Sequence, residues 1–246
     1  MKFAVVGYGR MGKKVELVLR QREEVVWSII DPDQGYPFVP DHLDGADAAI
    51  CFTTPESGYE VTRSVLERGV DAVVATTKFY LLEDNTLNDP MLKELEELAF
   101  QNDCRMVYAP NFAIGMIKFQ KIIELVTGYL DGLYDPAIME WHHIKKQDVS
   151  GTAKKLAQII IDRSFDKKSI NVGETERQRR PEEITIGSAR AGRIPGTHQV
   201  IFDSLVDSIE LVHRVRDPNI FAHGAVDAAY LLQDYHSGLY SLNDIS

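Results

Sequence analysis

The sequence predicts an α/β fold in two parts: a Rossmann-type, doubly wound parallel sheet over residues 1–112, then an α+β domain with a mixed sheet over 113–217. Three observations predict it. Short β-rich runs alternate with helical periodicities through the N-terminal half. A glycine motif sits at the first strand-to-helix junction. After residue 183, three strand-like runs follow one another with no clear helix between them.

Composition sets the frame. Of 246 residues 44% are hydrophobic and 26% charged, enough to build an ordinary globular core. A net charge of −10 argues against nucleic acid, whose binding needs a basic face to release counterions. No apolar run approaches the roughly 20 residues that span a bilayer, so no membrane contact is expected. The N-terminus enters a strand directly, without a signal-peptide pattern, and a cytoplasmic protein is expected. Cys51 and Cys104 occupy no CxxC motif and indicate no disulfide framework.

Lys2-Phe-Ala-Val-Val6 reads as a buried strand. Gly7, Tyr8, Gly9, Arg10, Met11 and Gly12 follow as G-x-G-x-x-G, and Lys13 to Arg22 reads as a helix. In that setting the first glycine makes the turn, the second lets a pyrophosphate approach, and the third lets helix meet strand. The anion would sit at the helix N-terminus. Val25 to Ile30 is the next strand and ends at Asp31, 19 residues after Gly12, where this fold places a carboxylate on the adenosine ribose. Pro32 and Asp33 follow, with no cation there for a 2′-phosphate, so NADH is expected over NADPH.

The alternation continues. Strands are expected at Ala48–Phe52, Ala72–Ala75 and Arg105–Tyr108, with helices at Ser57–Glu67 and Met91–Phe100. Ligands bind beyond the C-terminal ends of such strands. Thr53, Thr76, Thr77 and Asn111 are therefore candidate cofactor contacts, with their strand-end neighbours Phe52, Ala75, Ala109, Pro110 and Phe112.

Met116 to Leu130 reads as an amphipathic helix. Ala137 to Ile144 reads as a strand, and Thr152 to Phe165 as a helix capped by Ser150 or Thr152. Residues 166–183 read as a long surface loop. The three later strands are expected at Ile184–Ile186, His198–Asp203 and Asp207–Arg214, the last placing His213 on a buried structural face. Residues 218–246 are expected to form a C-terminal helical segment, centred on an alanine-rich helix over Phe221–Tyr235, that returns to the first domain.

The chemistry concentrates in Glu140-Trp-His-His-Ile-Lys-Lys-Gln-Asp-Val-Ser-Gly-Thr-Ala153. His142 and His143 are adjacent on a strand and so face opposite ways, which gives them different tasks. That divergence, with no further His or Cys at ligand spacing, predicts no metal site. Ser150, Gly151 and Thr152 enter a helix and offer hydroxyls and N–H groups to an anion. A hydride acceptor also needs a proton, which His142 or Lys146 can donate.

This combination resembles the 4-hydroxy-tetrahydrodipicolinate reductase family, whose signature has the form E-x-H-H-x-x-K-x-D-A-P-S-G-T-A. Gly7 to Gly12, Phe52-Thr-x-Pro-Glu56, Ala75-Thr-Thr77, Asn111-Phe-x-Ile-Gly115, Gly196-x-His198 and Phe221-Ala-x-Gly-Ala225 match in order along nearly the whole chain. The resemblance implies NAD(P)H-dependent reduction of 4-hydroxy-tetrahydrodipicolinate in lysine and diaminopimelate synthesis. It implies His142 as proton donor/acceptor, Lys146 as proton donor, and His143 with the Gly151–Thr152 backbone as groups holding a dicarboxylate substrate. It also implies a homotetramer built on the C-terminal sheet. The chain departs from the pattern where Val149 stands alone in place of Ala-Pro, at Cys51, and at Lys78. Two alternatives stand beside this reading: a related NAD-dependent dehydrogenase or imine reductase with another substrate, and a non-catalytic dinucleotide-binding paralogue.

Overall fold

A computed structural model describes the chain except residues 77, 78, 81–86, 131 and 174–176. The chain divides into two compact units, one of Met1–Ile114 with Asn219–Ser246 and one of Gly115–Pro218. Among the described residues no helix is long and apolar enough to cross a membrane.

The first unit contains β1 (Lys2–Val6), α1 (Arg10–Gln21), β2 (Val25–Ile30), β3 (Ala48–Cys51), α2 (Gly58–Glu67), β4 (Asp71–Val74), α3 (Asp89–Gln101) and β5 (Arg105–Tyr108). The central strands β1, β3 and β4 are short, apolar runs buried on both faces, as a helix-covered parallel sheet requires, while β2 at the edge leaves Val25 and Trp27 exposed. In α1 the buried residues Val15, Val18 and Leu19 recur at helical spacing and turn one face to the sheet. The core gathers Phe3, Val5, Ile50, Val73 and Met106, all with no exposure.

The strand order is β2-β1-β3-β4-β5 with one more strand at the β5 edge, every pairing parallel. The connections reverse direction between β1 and β3, which opens a crevice at the C-terminal ends of those two strands.

The second unit contains α4 (Ile114–Leu130, whose first residue is counted with the first unit), β6 (Asp135–His142), α5 (Gly151–Arg163), β7 (Ser169–Val172), β8 (Glu183–Arg190), β9 (Thr197–Asp203) and β10 (Ser208–Arg214). Its sheet order is β10-β9-β6-β8-β7, antiparallel on the β10 side of β6 and parallel on the other. β6 alternates strictly, with Ile138, Glu140 and His142 buried and Ala137, Met139 and Trp141 half-buried. Ile138 stands level with Val200 and Ile186 in an apolar row. One row on, the same face becomes polar: Ser188, Glu140, His198 and His213 stand abreast across four strands.

Three expectations need correction. Residues 166–183 are not all loop, because β7 adds a parallel edge strand there through Ile170 and Asn171; its polar sequence fits an edge with one wet side. Residues 218–246 are not one helical segment: α6 (Ile220–Leu232) ends, β11 (Gly238–Ser241) joins β5 as the sixth parallel strand, and α7 (Leu242–Ile245) closes the chain. The last strand's face is not fully buried either. Ile209 is 38% exposed and His213 half-buried, with its ring against Phe119.

α6 lies on the sheet of the first unit through Ala222, Ala225, Ala228 and Ala229. Gly224 explains the close fit, since a Cβ there would stand 1.6 Å from the Phe112 carbonyl oxygen.

Candidate functional site

In the first unit the predicted cofactor residues gather on the C-terminal edge of the parallel sheet. Gly7 follows β1 with φ +85°, and a Cβ on it would meet the Phe52 carbonyl oxygen at 2.3 Å. Only glycine lets the β1 turn pass under the end of β3. Gly12 lies in the first turn of α1, where a Cβ would be 2.0 Å from the Gly7 carbonyl oxygen. Gly9 is different: it caps α1 without a side-chain bond, and among the described residues nothing stands within 4 Å of where its Cβ would be. The backbone N–H groups at the start of α1 thus face open space, which fits an approaching pyrophosphate. Arg10 beside them is exposed, Met11 half-buried, and no acid lies in the first turn.

Asp31 ends β2. Its carboxylate accepts the Tyr8 N–H at 2.6 Å and the Asp33 N–H at 3.1 Å, which fix its orientation at the strand end. The Tyr8 hydroxyl donates to Glu16, which lifts its pKa to about 12. A cavity of about 580 Å³ runs over the switch point, lined by Gly7, Gly9, Asp31, Asp33, Phe52 and Thr53 among others. A second, of about 200 Å³, is lined by Met11, Phe52, Ala75, Pro110, Asn111, Phe112 and Phe221.

Two candidates serve the fold as well as the edge. The Thr76 hydroxyl donates to the Thr53 carbonyl at 3.1 Å and accepts the Thr53 N–H at 3.0 Å, tying the ends of β3 and β4 together. The Asn111 side chain accepts the Ala113 N–H at 2.7 Å, shaping the turn after Ala109 and Pro110. Thr77 and Lys78 lie outside the described residues.

In the second unit His142 is the last residue of β6 and is 8% exposed, while His143 has left the strand and faces solvent. Lys146 lies half-buried on the following loop. Ser150 caps α5, its hydroxyl accepting the Ala153 N–H at 3.0 Å and meeting His198 Nε2 at 3.0 Å. That hydroxyl is engaged inside the unit, and Gly151 and Thr152 are the members of the turn that reach the surface.

Glu140, Ser188, Arg190 and His198 are the additions that sequence reasoning did not assign to the site. Glu140 has no exposure, and its carboxylate accepts from the Ser150 N–H at 3.1 Å, the Ser188 hydroxyl at 3.0 Å and Arg190 Nη2 at 3.0 Å. Burial alone pushes the Glu140 pKa up; the Ser150, Ser188 and Arg190 donors outweigh it and hold the group below the usual carboxylate value. His142 Nε2 is 3.5 Å from the same carboxylate. Burial, Lys146 and Arg190 push the His142 pKa down and Glu140 and the Pro195 carbonyl push it up, with a net lowering. His198 is depressed to about 4, chiefly by burial and then by His142. The signal for Glu140 was its two-residue spacing from His142; the strand pairing that brings Arg190 and His198 beside it has no local signature.

Glu140, His142 and His198 offer three ligand atoms within 4.8 Å of one another, which the spacing argument against a metal did not foresee. The donor set does not suit a divalent ion. Glu140 already takes three hydrogen bonds, one from a guanidinium, and Lys146 and Arg190 both repel positive charge at His142.

Comparison with known proteins follows the chain nearly from end to end. Residues 1–112 match the family model described as dihydrodipicolinate reductase, N-terminus, and residues 115–245 match that described as its C-terminus. The chain is 32% identical over 254 residues to the 4-hydroxy-tetrahydrodipicolinate reductase of Staphylococcus carnosus, covering 100% of both chains. It is 30% identical over 249 residues to the enzyme of the same name from Christiangramia forsetii, covering 100% of this chain and 97% of that one. In fold it is similar to a dipicolinate-bound dihydrodipicolinate reductase from Paenisporosarcina sp. TG-14, with TM-score 0.74 at 23% identity over 100% of this chain and 99% of that one. An amine dehydrogenase from Mycobacterium smegmatis follows at TM-score 0.59 and 11% identity, covering 99% and 95%. With both family models matched end to end on a chain that carries the glycine turn and the Glu140–Thr152 stretch, this protein belongs to the dihydrodipicolinate reductase family.

Proposed function

We propose that the protein reduces 4-hydroxy-tetrahydrodipicolinate to tetrahydrodipicolinate with NAD(P)H, a step of lysine and diaminopimelate synthesis in the cytoplasm. The observation that carries this reading is the grouping of a buried Glu140–His142 pair, Lys146 and the open N-terminus of α5 on one edge of the second unit. When bound, the nicotinamide supplies the hydride. The chain's own residues then have three tasks. The α1 N-terminus and Asp31 hold the dinucleotide. The Gly151 and Thr152 N–H groups, with His143 nearby in sequence, hold substrate carboxylates. His142 and Lys146 deliver the proton that the reduced ring requires.

NADH is the preferred donor on this reading. The fixed Asp31 carboxylate accepts from ribose hydroxyls, and with Asp33 beside it on the same cavity wall it repels a 2′-phosphate. The departures at Val149, Cys51 and Lys78 favour, as second reading, a dehydrogenase of the same fold acting on another imine. Mixing enzyme, NADH and freshly prepared substrate and following NADH oxidation separates the two. Turnover supports the first reading; tight NADH binding with no turnover sinks it. Under the first reading His142→Ala and Lys146→Ala each lower kcat by about 100-fold or more and leave NADH affinity nearly unchanged. Half-buried Trp141 and exposed Val212 on the sheet face opposite His198 suit the subunit contact of a homotetramer, which light scattering would measure.

A further inference from the structure

We propose that Arg190 is the positioning residue of the substrate loop, residues 143–152: its guanidinium fixes the backbone that carries Lys146 and, through Glu140, the turn at Ser150–Thr152.

The hydrogen bonds define the clamp. Arg190 Nε donates to the Lys146 carbonyl at 2.9 Å, and Nη2 donates both to the Asp148 carbonyl at 2.9 Å and to Glu140 Oε1 at 3.0 Å. Nη1 donates to the Ala189 carbonyl at 3.0 Å. One planar group therefore grips the loop at two points and the buried carboxylate at a third. That carboxylate in turn takes the Ser150 N–H at 3.1 Å, so both arms of the loop end on a single ion pair.

The anchor is rigid. Arg190 ends β8 directly opposite His142 on β6, inside the parallel ladder. The loop it grips has little packing of its own: Ile144 is 67% exposed, and the residues around it are mostly exposed. Side-chain clamping therefore has to supply what local packing does not. Asp148 comes just before Val149, where the family pattern has two residues, so the clamped carbonyl and the shortened link are neighbours. A short loop tied at Lys146, Asp148 and Ser150 leaves the Lys146 side chain little choice of origin. Only an arginine fits the post, because the bonds diverge from one plane and a single ammonium cannot span them.

The inference rests on the proposed reductase reading, and the test separates the two. Arg190→Lys and Arg190→Ala are compared with the wild type in the full-length protein. Steady-state NADH oxidation gives kcat and KM, fluorescence titration gives NADH affinity, and amide hydrogen exchange reports on the loop. The expected result is a raised substrate KM and a kcat/KM lower by about tenfold or more in both variants, with NADH affinity within about twofold of wild type. Exchange should speed up across 144–150 and stay unchanged in β6, β8 and β9. Millimolar guanidinium ion should restore part of the kcat/KM lost in Arg190→Ala and none of that lost in Arg190→Lys, where the lysine fills the space. Wild-type kinetics in Arg190→Lys would overturn the proposal. So would faster exchange spread over the whole of residues 115–218, which marks general loosening. If the wild type itself fails to turn over the substrate, the functional reading falls, and local exchange in 144–150 alone decides for or against the clamp.

Discussion

Glu140→Gln tests the electrostatic centre of the second unit. The substitution keeps the shape and one oxygen for the Ser150 N–H but removes the charge that faces Arg190, whose side chain is 20% exposed against 0% for Glu140. Breaking a fully buried ion pair from one side costs about 3–5 kcal/mol. With Arg190 partly wet and one acceptor retained, we expect about 2–3 kcal/mol. For a chain of this size that lowers the melting midpoint by about 5–10 °C. Glu140 titrates below its ordinary value of 4.5 in the folded state, so its contribution is complete above that pH and disappears as pH falls through the folded value. The gap between variant and wild type should therefore be full at neutral pH and close in acid. Activity gives a second readout. Glu140 favours the charged form of His142, so its removal lowers the His142 pKa further. If His142 acts as the acid, the falling limb of kcat/KM moves to lower pH. Calorimetry across pH and a pH–rate profile measure both effects. An unchanged melting midpoint together with an unmoved limb would refute the reasoning.

Other expectations can be checked independently. His198 is buried and neutral down to about pH 4, whereas in the unfolded chain it takes a proton below about 6.5. Stability should fall as pH drops through that window, by up to about 3 kcal/mol from this residue, and His198→Gln should flatten the slope in urea titrations. Gly12→Ala drives a Cβ to 2.0 Å from the Gly7 carbonyl oxygen. It should cost about 1–3 kcal/mol or more and weaken NADH binding together with stability, as chemical denaturation and fluorescence titration would show. Asp31→Ala removes the carboxylate that holds the Tyr8 N–H and faces the cavity, so NADH affinity should drop by more than NADPH affinity; equal losses would argue against a ribose contact.

The parallel sheet was legible because its information is local. Each strand from β1 to β5 is a compact apolar run, and each helix shows its own periodicity within a turn or two. The glycine motif carried its meaning in the same way, since Gly7 and Gly12 are required by contacts a few residues away or one strand over. β11 and β7 escaped notice because an edge strand needs little apolar pattern; pairing with β5 or β8 makes it a strand. The Glu140–Thr152 stretch declared its reactive groups, and period-two alternation separated His142 from His143.

What the sequence by itself determined, then, is the alternating first unit, the glycine turn with an acid at the end of the next strand, and which ionisable side chains the Glu140–Thr152 stretch carries. The tertiary structure decided how those side chains are held. His198 and Arg190 lie 56 and 48 residues beyond His142 in the chain, and the registers of β9 and β8 on β6 bring them to its side. No local preference encodes such a register, because it is fixed by matching the buried faces of three strands at once. The same folding that buries Glu140 with no exposure also supplies the donors that keep it charged and the loop carbonyls that share its arginine.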